Sequence, residues 1–193
     1  MSIQKRRERE RAERERLIVT AARELAESEG WNAVTTRRLA AEIEYSQPVL
    51  YSHFSGKDAI MAAVAVEGFA ELAAELCRAR TEAAAPEDPA RALASVAAAY
   101  ADFAERRPAL YDAMFTQAVD LPFASADAPD ALRRGFDELR EALRPVVDED
   151  NLDVLTETFW SGLHGLLTLM RDGRLRREQH DLRLAVLIRR FST

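Results

Sequence analysis

The chain has 193 residues, of which 48% are apolar, 31% charged and 7% aromatic, with a formal net charge of −6. A chain of this size buries a core of its own without a metal or disulfide staple, and its composition excludes a disordered or collagen-like polymer. Cys77 is the only cysteine, which excludes an internal disulfide and a cysteine-based zinc site and points to a reducing compartment. The longest apolar run, Ala59 to Val66, falls far short of the roughly 20 residues of a membrane span. The opening MSIQKRRERERAERER has no apolar core behind its charges, so it does not read as a secretory signal. No cofactor and no metal are expected, and a cytoplasmic location is. Charge is uneven: residues 1–58 sum to +1, residues 59–193 to −7, and residues 1–16 alone to +3. An acidic protein can still hold a polyanion when its positive charge gathers at one end.

The whole chain reads as helix. Ala, Leu, Glu and Arg dominate, glycine is scarce, and the prolines fall between periodic segments. The first helix is predicted from about Arg9 to Ser28, with Leu17, Ile18, Ala21, Ala22, Leu25 and Ala26 as its buried stripe and Gly30 as its end. Thr35 or Thr36 caps a short second helix with Leu39, Ala40 and Ile43 inward. Ser46 caps a third, Gln47 to His53, with Pro48 in its first turn. Ser55, with Asp58 three residues on, caps a long fourth helix running to about Arg80. After a linker over residues 81–89, helices are predicted from Asp88-Pro89 to about Arg106, from Pro108 through Phe115, and from about Leu132 to Arg144-Pro145. An acidic turn at 148–151 precedes two last helices, Leu152 to Arg171 and about Gln179 to Phe191.

The informative stretch is Ala22 to Lys57. Two short helices separated only by Glu44-Tyr45 have the layout of a helix-turn-helix, whose second helix enters the DNA major groove. The stretch AARELAESEGWNAVTTRRLAAEIEYSQPVLYSHFSGKDAI resembles the DNA-binding segment of the tetracycline-repressor family of bacterial regulators. Ala22, Gly30-Trp31, Thr35-Thr36, Leu39-Ala40, Ser46, Leu50-Tyr51, His53-Phe54 and Lys57 carry the likeness. One residue departs from it: Glu44 stands where the family usually has Gly, in a turn that asks for a left-handed backbone, at a cost of about 1 kcal/mol or more.

The physical chemistry of these residues points the same way. Thr35 and Thr36 leave backbone N–H groups at a helix start, a natural phosphate clamp. Tyr51 and His53 are expected on the exposed side of the third helix, as phosphate donors. Lys57 stands in the first turn of a helix, where the dipole disfavours a cation and an anionic partner offsets it. Ser46, Gln47, Pro48 and Val49 occupy the end that meets base edges; Gln47 suits adenine, and Pro48 or Val49 a thymine methyl. Arg37 or Arg38 reaches a base or a phosphate. Leu50 and Phe54 are expected in the core. The alternating run Arg6 to Arg16 is either a solvated extension of the first helix or a basic arm on DNA.

The resemblance implies a C-terminal half that dimerises and binds an effector. In the eighth helix Trp160, His164 and Gly165 resemble the Trp…His-Gly pattern of one subgroup of the family. Gly162 and Gly165 imply close approach of a neighbouring helix. Trp160, Gly162, Leu163 and Leu166, with Leu184, Leu187, Ile188 and Phe191 of the last helix, are the expected interface of a homodimer. Tyr100, Phe103, Tyr111, Met114, Phe115, Phe136 and Phe159 are the expected lining for a largely apolar effector, with Asp112, Gln117 and His164 as polar anchors.

The chain is therefore expected to be all-α, with a helix-turn-helix domain over residues 1–58 and an effector and dimerisation domain over 59–193. It is expected to regulate transcription on a palindromic duplex site, as a repressor released by a small ligand. A nucleoid or adaptor protein without an effector is the alternative. A small all-α enzyme is disfavoured, because His53, His164, His180 and Cys77 form no metal or nucleophile pattern.

Overall fold

Good helix formers dominate the chain, and the backbone follows them. The computed structural model describes residues 3–85, 87–115, 121–122 and 128–192, among which there is no strand. The described helices are α1 (Ile3–Glu29), α2 (Thr36–Glu42), α3 (Gln47–Tyr51), α4 (Lys57–Ala83), α5 (Pro89–Arg106), α6 (Pro108–Phe115), α7 (Asp130–Leu143), α8 (Leu152–Arg171) and α9 (His180–Phe191). Single 3₁₀ turns at Glu149–Asn151 and Arg177–Gln179 lead into α8 and α9. None of the described helices is long and apolar enough to cross a membrane.

Besides α4 running on to Ala83, through the first three residues of the expected linker, three boundaries differ from expectation for local reasons. α1 starts at Ile3, six residues early, because the pairs Arg6–Glu10, Arg9–Glu13 and Arg11–Glu15 stitch successive turns together. α3 stops at Tyr51, so His53 lies in the turn beyond it, and Ser46 makes no side-chain cap. α4 begins at Lys57, one residue too late for Ser55 to be its cap.

The chain divides into two compact units, Met1–Gly68 with Arg107–Asp127, and Phe69–Arg106 with Ala128–Thr193. The core of the first holds Ile18, Ala22 and Leu25 of α1, Leu39 of α2, Leu50 of α3, Ile60 and Val64 of α4, and Leu110 and Met114 of α6. Leu17, expected inside, is 44% exposed, and Ile43 and Phe54 are half-buried. α6 is fastened to α1 by polar contacts. The Glu27 carboxylate accepts the Ala109 and Leu110 N–H groups at 3.1 and 2.9 Å. The Trp31 indole N–H donates to the Ala109 carbonyl at 2.7 Å. A helix start has four unpaired N–H groups, and a carboxylate there is favoured by the dipole as well.

In the second unit α5 and α7 pack with α8, and α9 lies against α5 and α8. Leu93, Val96, Phe103, Leu139, Leu143, Phe159, Leu163 and Leu167 form its interior. Arg80 of α4 pairs with Glu138 of α7 at 2.8 Å, and Arg106 of α5 pairs with Glu75 of α4 at 2.6 Å. The Phe191 ring stands edge-on to Phe159 with 5.1 Å between centroids.

Candidate nucleic-acid interface

The geometry begins with Thr35. Its hydroxyl accepts the Arg38 N–H at 3.2 Å and caps α2. Seven residues later the helix ends in a paired closure. The Tyr45 N–H donates to the Ala40 carbonyl at 2.8 Å, and the Glu44 N–H to Ala41 at 3.3 Å. That double bond pattern requires a left-handed residue at the second of the two positions after the helix, and Glu44 adopts it, with φ 56°. The turn thus keeps its shape without glycine and stores backbone strain of about 1–2 kcal/mol. It delivers the chain directly into α3.

α3 is too short to be stable alone; it is held by Leu50, which is 1% exposed. The opposite side presents Ser46, Pro48 and Tyr51 to solvent, with Gln47 and Val49 half-buried beside them. The Tyr51 and Thr36 hydroxyls share a hydrogen bond of 3.3 Å across the α2–α3 corner. Two hydroxyls and the N-terminal turn of α2 therefore converge at one exposed edge.

The charged residues separate. Arg37 is exposed and makes no hydrogen bond or ion pair among the described residues. Arg38 clamps Glu29 with both guanidinium nitrogens, one of them at 2.7 Å. This contact raises the Arg38 pKa above its ordinary value and lowers that of Glu29, chiefly through the shared hydrogen bonds. Of the two arginines, Arg37 is thus the one left open to an anion. Lys57 donates its Nζ to the Trp31 carbonyl at 2.5 Å, so it also ties α4 to the loop after α1. His53 departs from expectation. Its side chain is only 6% exposed, and its Nδ1 lies 3.3 Å from Glu15 Oε1 of α1. That burial makes it a strut between α1 and the α3–α4 turn instead of an exposed donor.

The second unit carries a different surface. α8 and α9 flank an open apolar groove of about 550 Å³ lined by Gly162, Gly165, Leu166, Leu182, Val186 and Leu187, with Arg183 and Arg190 at its edges. Leu182 is 65% and Val186 39% exposed. Gly162 lets the two helices close up, since a Cβ there would stand 2.9 Å from the Leu187 side chain, whereas Gly165, expected to do the same, has nothing within 4 Å of such a Cβ and opens onto the groove. Of the expected interface residues, Gly162, Leu166 and Leu187 line the groove. Leu163 is buried within its own subunit, Phe191 packs on Phe159, and Trp160, Leu184 and Ile188 are half-buried. Sequence reasoning missed Leu182 and Val186, because α9 has no fully buried residue to mark which of its sides faces inward.

The expected ligand-lining residues fall in both units. Tyr111 and Met114 are fully buried in the first, and the Tyr111 ring sits 4.7 Å from Phe115, which is half-buried. Tyr100, Phe103 and Phe159 are buried in the second, and Phe136 and His164 are half-buried there. The Trp160 indole donates to the Tyr100 hydroxyl at 3.0 Å. Burial, and then the charge of Arg171, push the His164 pKa below the usual imidazole value. Gln117 lies outside the described residues.

Comparison with known proteins agrees with this geometry. Residues 18–64 match the model described as bacterial regulatory proteins, tetR family, and residues 93–191 match the tetracyclin repressor-like C-terminal domain. A curated relative, the uncharacterized HTH-type transcriptional regulator YobS of Bacillus subtilis, is 35% identical over 106 residues. That match covers 55% of this chain and 53% of YobS, so the chain spans about half the length of this relative. A solved protein of unknown function from Rhodococcus sp. RHA1 has a TM-score of 0.76 at 23% identity, over 92% of this chain and 93% of that one. RolR, solved in complex with resorcinol, has a TM-score of 0.67 at 16% identity, over 94% and 89%. Two family models that together cover the helix-turn-helix and the second half, on a fold shared with these structures, place the chain in the tetracycline-repressor family of bacterial transcriptional regulators.

Proposed function

We propose that this chain is a sequence-specific, DNA-binding transcriptional repressor that acts as a homodimer in the cytoplasm and is released by a small ligand. Residues 1–58 read the duplex and residues 59–193 dimerise and sense. The observation that carries the reading is the two-sided character of α3. Leu50 is locked in the core while Ser46, Pro48 and Tyr51 face solvent directly after a fixed turn. Tyr51, Thr36 and Arg37 hold phosphates, and Ser46, Gln47, Pro48 and Val49 meet base edges. Lys57 and His53 act by holding the head in shape.

The α8–α9 groove supports the dimer. A second copy laid across it by a two-fold axis would cover Leu182 and Val186, and a palindrome read by the two α3 helices has its half-sites about 34–36 Å apart. The buried Tyr100, Phe103 and Phe159 of the second unit support an apolar ligand, and the fold relative solved with resorcinol supports a small one. Such a ligand shifts the head spacing only by its differential affinity for two states. The role is regulatory and not catalytic.

The DNA upstream of the chain's own gene, searched for an inverted repeat and titrated in a gel shift, tests the proposal. Gln47→Ala is expected to change which sequence is preferred, and Tyr51→Phe to weaken all sequences alike. A Gln47→Ala variant with unaltered preference would overturn the base-reading role.

A further inference from the structure

α1 is longer than its packing requires. It begins at Ile3, yet its first buried residue is Ile18. Residues 3–14 are exposed apart from a half-exposed Glu10. At 1.5 Å per residue these twelve residues make an overhang of about 18 Å. The overhang is rooted at the reading head, because Glu15 at its base touches His53, just beyond α3.

Its charges are sorted. Glu10, Glu13 and Glu15 are each taken up by an arginine four residues earlier. Arg7 and Arg14 make no hydrogen bond or ion pair among the described residues, and neither does Glu8. After the Arg6 hydrogen bond, the charge of Arg14 also helps to lower the Glu10 pKa, so the overhang keeps two open cations against one open carboxylate. The two arginines stand seven residues apart, in line with Ala21 one way and with Ile18 and Leu25 the other. They therefore continue, past the edge of the domain, the side of α1 that carries the buried Ile18, Ala21 and Leu25. The overhang has Ile3 and Ala12 as its only apolar residues, so it lacks the apolar face of a membrane-surface helix.

We infer that this overhang is a second DNA contact. It follows the sugar-phosphate backbone outside the half-site, with Arg7 and Arg14 on phosphates, and so lengthens the footprint beyond the bases that α3 reads. The inference rests on the proposed DNA-binding role of α3. The Glu–Arg pairs keep the overhang helical and lower its net charge, so it adds affinity without dominating it.

The test compares the full-length wild type with an Arg7→Ala, Arg14→Ala double variant by fluorescence anisotropy across a salt series. Alanine preserves helix propensity, and circular dichroism verifies the fold. Two duplexes are used, both carrying the sequence that the wild type selects from a random pool: one ends at the outer edge of the half-sites and one extends ten base pairs further on each side. The wild type is expected to prefer the long duplex. The double variant is expected to lose that preference, and its log K against log salt slope on the long duplex is expected to fall by about 3–4 for two arms. Equal wild-type affinity for both duplexes, or Arg7 and Arg14 governing binding to anionic vesicles instead, would overturn the inference while leaving the role of α3 intact. Binding to neither duplex would overturn both.

Discussion

Glutamate 44 offers a test in which strain and charge separate. Its φ of 56° places a residue with a Cβ in the left-handed region, where both hydrogen bonds closing α2 hold it. The cost of that conformation is about 1–2 kcal/mol. Replacing Glu44 by Gly removes it but adds backbone freedom to the unfolded chain, worth about 0.5–1 kcal/mol against folding. The net expectation for Glu44→Gly is a stabilisation of about 0.5–1 kcal/mol, a rise in Tm of about 1–4 °C for a chain of this size. Glu44→Ala removes the same carboxylate while keeping the Cβ, so its Tm should stay near that of the wild type. Calorimetry on the three proteins at one pH and salt reads the difference. Both variants should also bind non-specific duplex more tightly at low salt, since a carboxylate beside α3 is lost. A Glu44→Gly protein that melts below Glu44→Ala would refute the strain argument.

Other expectations follow from single contacts. Glu27→Ala strips two N–H groups at the start of α6 of their acceptor and should cost about 1–3 kcal/mol, read as a lower urea midpoint. Leu182→Glu puts a charge in the α8–α9 groove and should shift sedimentation from dimer to monomer without lowering helix content. His164 has a folded pKa below its unfolded one, so the unfolded chain binds more protons as pH falls through about 6.5. The wild type should therefore lose stability between pH 7 and pH 5 more steeply than His164→Gln, measured by thermal melts across that window.

Much of the architecture was legible because it is written in local rules. Pro89 and Arg106 bound α5 where expected, since proline starts a helix and the next proline, Pro108, ends it. The apolar stripe from Leu152 to Arg171 marks α8 at its observed bounds. The demand for a left-handed residue at Glu44 was also readable, from the family turn alone. What stayed hidden depends on pairs far apart in sequence. The bond from Trp31 to Ala109 spans 78 residues, and the His53–Glu15 contact spans 38, so nothing local marks either. For that reason the sequence alone presents His53 as an exposed phosphate donor, and only the contact of Arg38 with Glu29 separates it from Arg37. On α9 the apolar residues wrap more than one side, so periodicity alone did not separate the side facing α8 from the side facing solvent.

If the protein acts as proposed, the exposed side of α3 reads bases as one of a symmetric pair. Selection of bound duplexes from a random pool by the purified full-length protein tests it most directly. Enrichment of an inverted repeat is expected, with half-sites separated by about one helical turn or a multiple of it and with preference altered at defined positions by Gln47→Ala. Enrichment of no sequence at low salt, or of an unpaired half-site that Gln47→Ala leaves unchanged, would contradict it.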